Sequence, residues 1–119
     1  MNVVRLELTD EQAQIVSLAC EFYARVRMGQ FQEIYWKCLD MQLPCDDYCE
    51  RRDEAERLLL EARKPIYPEL HGLGHSYGIG KFKDADQAFD VYQVIRWLFG
   101  DDRPPFSFWE LPKAERITE

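Results

Sequence analysis

Long apolar runs are missing from this sequence. The largest are Leu58-Leu59-Leu60 and Val94-Ile95, with Trp97-Leu98-Phe99 just beyond Arg96. A membrane span needs about 20 consecutive apolar residues, so no membrane role is expected. Positive charge is also scarce: 15 Lys and Arg stand against 22 Asp and Glu, a formal net charge of −7. A protein that follows a phosphate backbone needs a basic face to displace counterions, which argues against nucleic acid as the partner. The basic residues come in pairs, such as Arg25 and Arg27 or Lys81 and Lys83, mostly with acids nearby. Internal repeats, low-complexity tracts and long linkers are absent as well. The opening Met1-Asn2-Val3-Val4-Arg5-Leu6 leads straight into a polar, acidic stretch from Thr9 to Gln14, unlike a secretory signal, so the expected location is the cytoplasm.

What the chain does contain is an ordinary globular mixture. Hydrophobic residues make up 46% and charged residues 31% of its 119 positions, which suits one domain spanning 1–119 with a single core. The cysteines are Cys20, Cys38, Cys45 and Cys49. In a cytoplasmic chain they are expected to be reduced thiols.

Residues 3–8 alternate, with Val4, Leu6 and Leu8 on one side and Arg5 and Glu7 on the other, the pattern of a short half-buried strand. Thr9-Asp10-Glu11-Gln12 reads as a capping box opening a helix to about Met28. Its polar stripe is Gln14, Ser17, Glu21 and Arg25, and the wide apolar remainder predicts burial on more than one side. Gly29 suits its C-terminal end. A second, short helix is predicted over 30–41. A third is capped by Asp46 or Asp47 and runs to about Lys64, where Pro65 and Pro68 stop it. Asp84-Ala85-Asp86-Gln87 is a second capping box, followed by a helix to Phe99 with Ala88, Val91, Tyr92, Ile95 and Leu98 facing inward and Gly100 ending it. The tail turns at Pro104-Pro105 and presents Phe106, Phe108 and Trp109. The expected fold is mainly α, α+β at most: about four helices, a short N-terminal strand and an extended aromatic C-terminal segment.

The stretch 67–83 holds four of the six glycines. Backbone N–H groups at Gly78 and Gly80 can approach an anion, Tyr77 and Phe82 can stack on a flat ring, and Lys81, Lys83 and Arg96 can meet phosphate or carboxylate. These seven residues form the expected ligand-binding set, for a small anionic, nucleotide-like ligand. The stretch is not a G-x-x-x-x-G-K-[ST] loop, and the strand that a dinucleotide fingerprint requires is missing. His71 and His75 together with Cys45 and Cys49 have spacings zinc accepts, but the long charged helix between the pairs is unlike a zinc finger, so no metal and no cofactor is expected. The competing account is a small metal-dependent enzyme centred on His71, His75 and Asp90. Asp86, Asp90, Gln93 and Trp97 share one helical stripe, read as a solvated face. Trp97 on that stripe, with Phe106, Phe108 and Trp109, supplies anchors for a protein partner.

Two segments carry a resemblance. Leu6-Glu7-Leu8-Thr9 through Met28-Gly29-Gln30-Phe31-Gln32-Glu33-Ile34 is one, and Ser76-Tyr77-Gly78-Ile79 followed by Ala88-Phe89-Asp90-Val91-Tyr92-Gln93-Val94-Ile95-Arg96 is the other. The pattern resembles short phage- and prophage-encoded proteins of no established activity, over about half the chain. It implies an accessory role and carries over no functional residue. The resulting expectation is a non-enzymatic binding protein, with no catalytic residue assigned, that occupies a host protein surface or sequesters an anionic ligand. A homo-oligomer is a further expectation. One outcome is directly measurable. Unfolding without reductant and alkylating should add four labels, one each at Cys20, Cys38, Cys45 and Cys49, by intact mass; fewer would reveal a disulfide.

Overall fold

The first helix begins where its reciprocal cap sets it. In the computed structural model, which describes residues 2–107 and 109–118, the Thr9 N–H donates to Gln12 Oε1 at 3.0 Å and the Gln12 N–H donates to Thr9 Oγ1 at 3.1 Å. These two bonds satisfy backbone donors that a helix start leaves open. Four helices follow in the order α1 Asp10–Arg27, α2 Glu33–Cys38, α3 Cys45–Ile66 and α4 Lys83–Leu98.

Both ends foreseen at glycine form as expected. Gly29 has φ +95° and Gly100 φ +91°, a left-handed conformation that a Cβ makes costly. At the first, Gly29 N–H donates to Val26 O and Gln30 N–H to Arg25 O, both at 2.9 Å. At the second, Gly100 N–H donates to Trp97 O at 3.2 Å and Asp101 N–H to Arg96 O at 3.4 Å. Each is the paired Schellman closure of a helix C-terminus.

Elsewhere the structure corrects the sequence reading. No strand forms among the described residues, and the stretch 3–8 stays open to solvent, with Val4 92% exposed. Alternation alone cannot hold a strand, because its backbone groups need a neighbouring strand and the described residues supply none. α2 is only six residues long. After it, Asp40 Oδ1 accepts the Gln42 N–H at 2.9 Å, a local turn that competes with helix extension. α3 starts at Cys45 behind Pro44, with Asp46 and Asp47 inside its first turn rather than at the cap. It also passes through Pro65 to Ile66. So near a helix end, proline removes one hydrogen bond without displacing a following turn. α4 begins at Lys83, so Asp84 sits in the first turn, where its carboxylate accepts the Tyr23 hydroxyl at 2.6 Å.

The chain divides into two compact units, residues 1–24 with 83–119 and residues 25–82. In the second, α2 packs on α3, and Met28, Tyr35 and Leu70 are buried beside the polar Gln32, Glu33 and Arg63. Arg63 is its central tie. Only 2% exposed, its guanidinium donates to Gly29 O at 3.1 Å, His75 O at 3.1 Å and Gly72 O at 2.5 Å. Tyr77 N–H reaches the neighbouring Met28 O at 2.9 Å. In the first unit, the buried apolar residues are Ala24, Ala85 and Val94, and Ser17, Asp86, Asp90 and Gln93 are buried with them. The α1 polar stripe is thus inverted at Ser17, whose hydroxyl donates to Tyr92 O at 3.2 Å, while Ile15 and Leu18 are 65% and 54% exposed. A small hydroxyl lets a neighbouring backbone come close where a branched side chain would not.

Arg63→Met would keep an unbranched apolar stem and leave three carbonyls without their donor. The expected loss is about 2–4 kcal/mol, because hydrogen bonds to a charged group are strong and an orphaned acceptor keeps its desolvation cost. Urea unfolding monitored by circular dichroism measures it, and a midpoint equal to that of the wild type would contradict the account.

Candidate functional site

The glycine-rich stretch folds without regular secondary structure and belongs wholly to the second unit up to Phe82. Arg63 fixes its first half through Gly72 and His75. In its second half, Tyr77 and Phe82 meet edge to face at 5.3 Å between centroids, and Tyr67 lies 5.4 Å from Tyr77 and 6.1 Å from Phe82. Two cations cover these rings. The Arg27 guanidinium lies 3.7 Å from the Phe82 centroid, and Lys81 Nζ stands 5.0 Å from that of Tyr77, in the range of cation–π attraction. Arg27 also donates to the Tyr67 hydroxyl at 2.7 Å, and that hydroxyl donates to Arg27 O at 2.7 Å. Gly78 and Gly80 are exposed, and Gly78 O accepts the Lys81 N–H at 3.3 Å.

Of the seven expected ligand residues, the structure therefore gathers Tyr77, Gly78, Gly80, Lys81 and Phe82. Lys83 and Arg96 fall in the other unit. There Lys83 Nζ lies 4.7 Å from the Trp109 ring centroid. Arg96 Nε sits 3.1 Å from Asp101 Oδ2 as an ion pair, although its N–H is not aimed as a hydrogen bond, and Arg96 Nη1 donates to the Tyr92 hydroxyl at 3.2 Å. Asp101 also takes Arg103, whose side-chain and backbone hydrogen bonds hold its carboxyl down at about 2. Arg96 thus works as part of the end of α4.

The two histidines contact each other. His71 N–H donates to His75 Nδ1 at 2.9 Å, and their rings stack at 6.3 Å. Cys45 and Cys49 are exposed on the first turns of α3. Among the described residues, no group of three or more His, Cys, Asp or Glu stands together as a metal site. A depression of about 540 Å³ runs along α3, lined by Asp47, Glu50, Arg51, Glu54, Ala55 and Leu58, all from that single helix.

The arrangement with the most convergent chemistry is one that the sequence reading took for a solvated face. Asp86, Asp90 and Gln93 lie on successive turns of α4 and are buried, Gln93 at 1% exposure. Phe106, Ser107 and Trp109 contact them. Gln93 Nε2 donates to Phe106 O at 2.8 Å, and the Phe106 N–H donates back to Gln93 Oε1 at 3.1 Å. One amide thereby reads both backbone groups of one residue. The Ser107 hydroxyl donates to Asp90 Oδ2 and accepts the Trp109 N–H, and the Trp109 indole N–H donates to Asp86 Oδ2 at 3.2 Å. Of the expected partner surface, Trp97, Phe106 and Trp109 are exposed, and Phe108 lies outside the described residues. The stripe of Asp86, Asp90 and Gln93 was visible as a helical period. Its burial was not, because nothing local says that a tail of Phe106, Ser107 and Trp109 supplies the matching donors and acceptors.

Comparison with known proteins adds nothing to this geometry: no protein-family model, no curated protein and no solved structure matches the chain.

Burial raises the Asp90 carboxyl above its ordinary value; the Ser107 hydrogen bond opposes the shift and the Asp86 charge adds to it. Such a group holds its proton more tightly folded than unfolded. It therefore costs stability as pH rises from the ordinary Asp value through the raised one. Asp90→Asn keeps the shape and removes that cost. The variant should be more stable than the wild type near neutral pH, with the gain shrinking on acidification through the window. Urea midpoints from about pH 7 down to about pH 3 test the sign, and a gain that grows in acid would contradict it.

Proposed function

We propose that this protein acts by binding another protein through the apolar surface of its first unit, without catalysis. One observation carries the reading. Among the described residues of that unit the fully buried positions are small or polar, namely Ala24, Ala85, Val94, Ser17, Asp86, Asp90 and Gln93, larger groups such as Phe89, Ile95 and Leu98 are half-buried, and Ile15, Leu18, Trp97, Phe106 and Trp109 are exposed. Large apolar and aromatic side chains left outside such a core are the usual composition of an interface. Tryptophan in particular is enriched where partners anchor. An accessory role of the kind suggested by the resemblance to short phage-encoded proteins, with a host protein as the target, fits such a surface.

A flat anionic ligand in the glycine-rich stretch is the weaker account. It needs open ring faces on Tyr77 and Phe82, and Lys81 and Arg27 already lie over those rings. The metal-dependent enzyme is weaker still, since His75 Nδ1 is engaged by the His71 N–H.

The experiment compares wild type with an Ile15→Ser, Leu18→Ser double variant as bait in a host lysate. Both positions are exposed, so the helix content and unfolding midpoint should stay within experimental error. A partner retained by the wild type should be lost, or weakened about tenfold or more, with the double variant, as expected when apolar anchors are removed. Equal capture by both proteins would sink the reading. Thermal stabilisation of both proteins by a nucleotide panel, with no captured partner, would put the small-ligand account in its place.

A further inference from the structure

Residues 3–8 carry a strand pattern without a strand. Val4, Leu6 and Leu8 alternate with Arg5 and Glu7, yet no hydrogen bond or ion pair joins residues 3–8 to any described residue. The apolar side chains stand in solvent, Val4 at 92% exposure and Leu6 at 75%. Directly after them the chain is fixed, because the Thr9 N–H donates to Gln12 Oε1 at the start of α1. The segment is thus anchored at one end and unpaired along its length, with its backbone donors and acceptors left to water.

The order of charges in the segment says what completes it. Turned end for end about Leu6, the segment matches itself: Leu6 meets Leu6 of a second copy, Val4 meets its Leu8, and Arg5 meets its Glu7. The apolar groups then share one face of the pair and the opposite charges the other. A parallel arrangement in register would instead set Arg5 beside Arg5 and Glu7 beside Glu7, which is destabilising. The antiparallel ladder also has a phase that spares the helix cap. With Val4, Leu6 and Leu8 as the hydrogen-bonded positions, the Thr9 N–H stays with Gln12. Charge within the segment cancels although the whole chain carries −7, so two acidic chains can meet here without local repulsion. We propose that two copies of this chain pair through residues 3–8 as an antiparallel two-stranded ribbon centred on Leu6. The contact is isologous, with its two-fold axis at that residue. Two strands alone are marginally stable, so the dimer is weak, with a Kd of about 100 µM. The inference uses the segment before α1 and stands apart from the partner reading for Ile15 and Leu18.

The test is sedimentation velocity of the full chain from about 10 µM to about 1 mM, a range that brackets the expected Kd. The wild type should dimerise as concentration rises. Arg5→Glu and Glu7→Arg each set like charges opposite one another and should weaken the dimer about tenfold. Both changes in one chain restore the complementary order and should restore wild-type affinity, and an equal mixture of the two single variants should form a heterodimer about as tight as the wild type. Both positions are exposed, so folding is not at stake. Glu7→Arg separates register from general charge. It reduces the net negative charge, so simple repulsion between acidic chains would ease and association would strengthen; that result overturns the proposal. A wild type that stays monomeric throughout overturns it, as do single variants that pair like the wild type. A wild type that prefers the doubly exchanged chain to itself would reveal parallel strands and overturn it too. Leu6→Pro removes a backbone donor at the centre of the ladder and should abolish pairing with the helix content by circular dichroism unchanged. A dimer that survives Leu6→Pro is held elsewhere, and the proposal falls with it.

Discussion

A single buried guanidinium holds the second unit in register. Arg63 leaves the last turn of α3 and spends its donors on Gly29, Gly72 and His75. Gly29 O belongs to the closing turn of α1, where a helix leaves carbonyls unsatisfied and carries its negative end. Arg63 answers both needs with one cation, and Tyr77 N–H takes the adjacent Met28 O. Lysine could not substitute, because a compact ammonium lacks the planar fork that reaches several carbonyls from one position. The same residue that finishes α1 thus ties down the glycine-rich stretch, and through it brings Tyr77 and Phe82 beside Tyr67. Gly29 serves the arrangement as well: a Cβ there would stand 2.4 Å from Leu70 Cδ1.

The first unit solves a different problem with a related device. Its helix α4 buries two aspartates and a glutamine, groups that cost free energy unless every buried donor and acceptor is met. The aromatic tail meets them, contributing a backbone pair, a hydroxyl and an indole. Specificity of this sort depends on matched geometry more than on area. It also explains why the tail stays in place without a helix or strand of its own.

Helix existence, the Thr9 and Gln12 cap, and the closures at Gly29 and Gly100 were legible because they depend on residues within one turn of each other. The bounds of α2 and α3 were misjudged on local grounds, at the Asp40 turn and at Pro44 and Pro65, whereas the other misread features depend on distant chain. Val4 and Leu6 alternate correctly for a strand yet have no strand beside them. Ser17 belongs to a polar period, but its hydroxyl meets Tyr92 O from a residue 75 positions away. Asp86, Asp90 and Gln93 look solvated until the tail is laid over them. Arg63 gave no signal at all, since its partners are backbone carbonyls, which no sequence pattern marks. Of the candidate sites, the aromatic cluster of Tyr77 and Phe82 was found from composition, and the carboxylate and amide face was seen as a stripe with its burial misjudged.

The spacing of these links along the chain orders the assembly of the first unit in time. Gln93 and Phe106 are 13 residues apart, whereas Ser17 and Tyr92 are 75 apart. Closing the longer loop costs about 1.5 kcal/mol more in chain entropy, by the logarithmic dependence on loop length. The tail therefore settles on a newly formed α4 through short-range closure, while the link to α1 waits for a search through most of the polypeptide. A refolding chain that has formed α4 and its tail thus has the polar face of α4 covered before α1 docks on it.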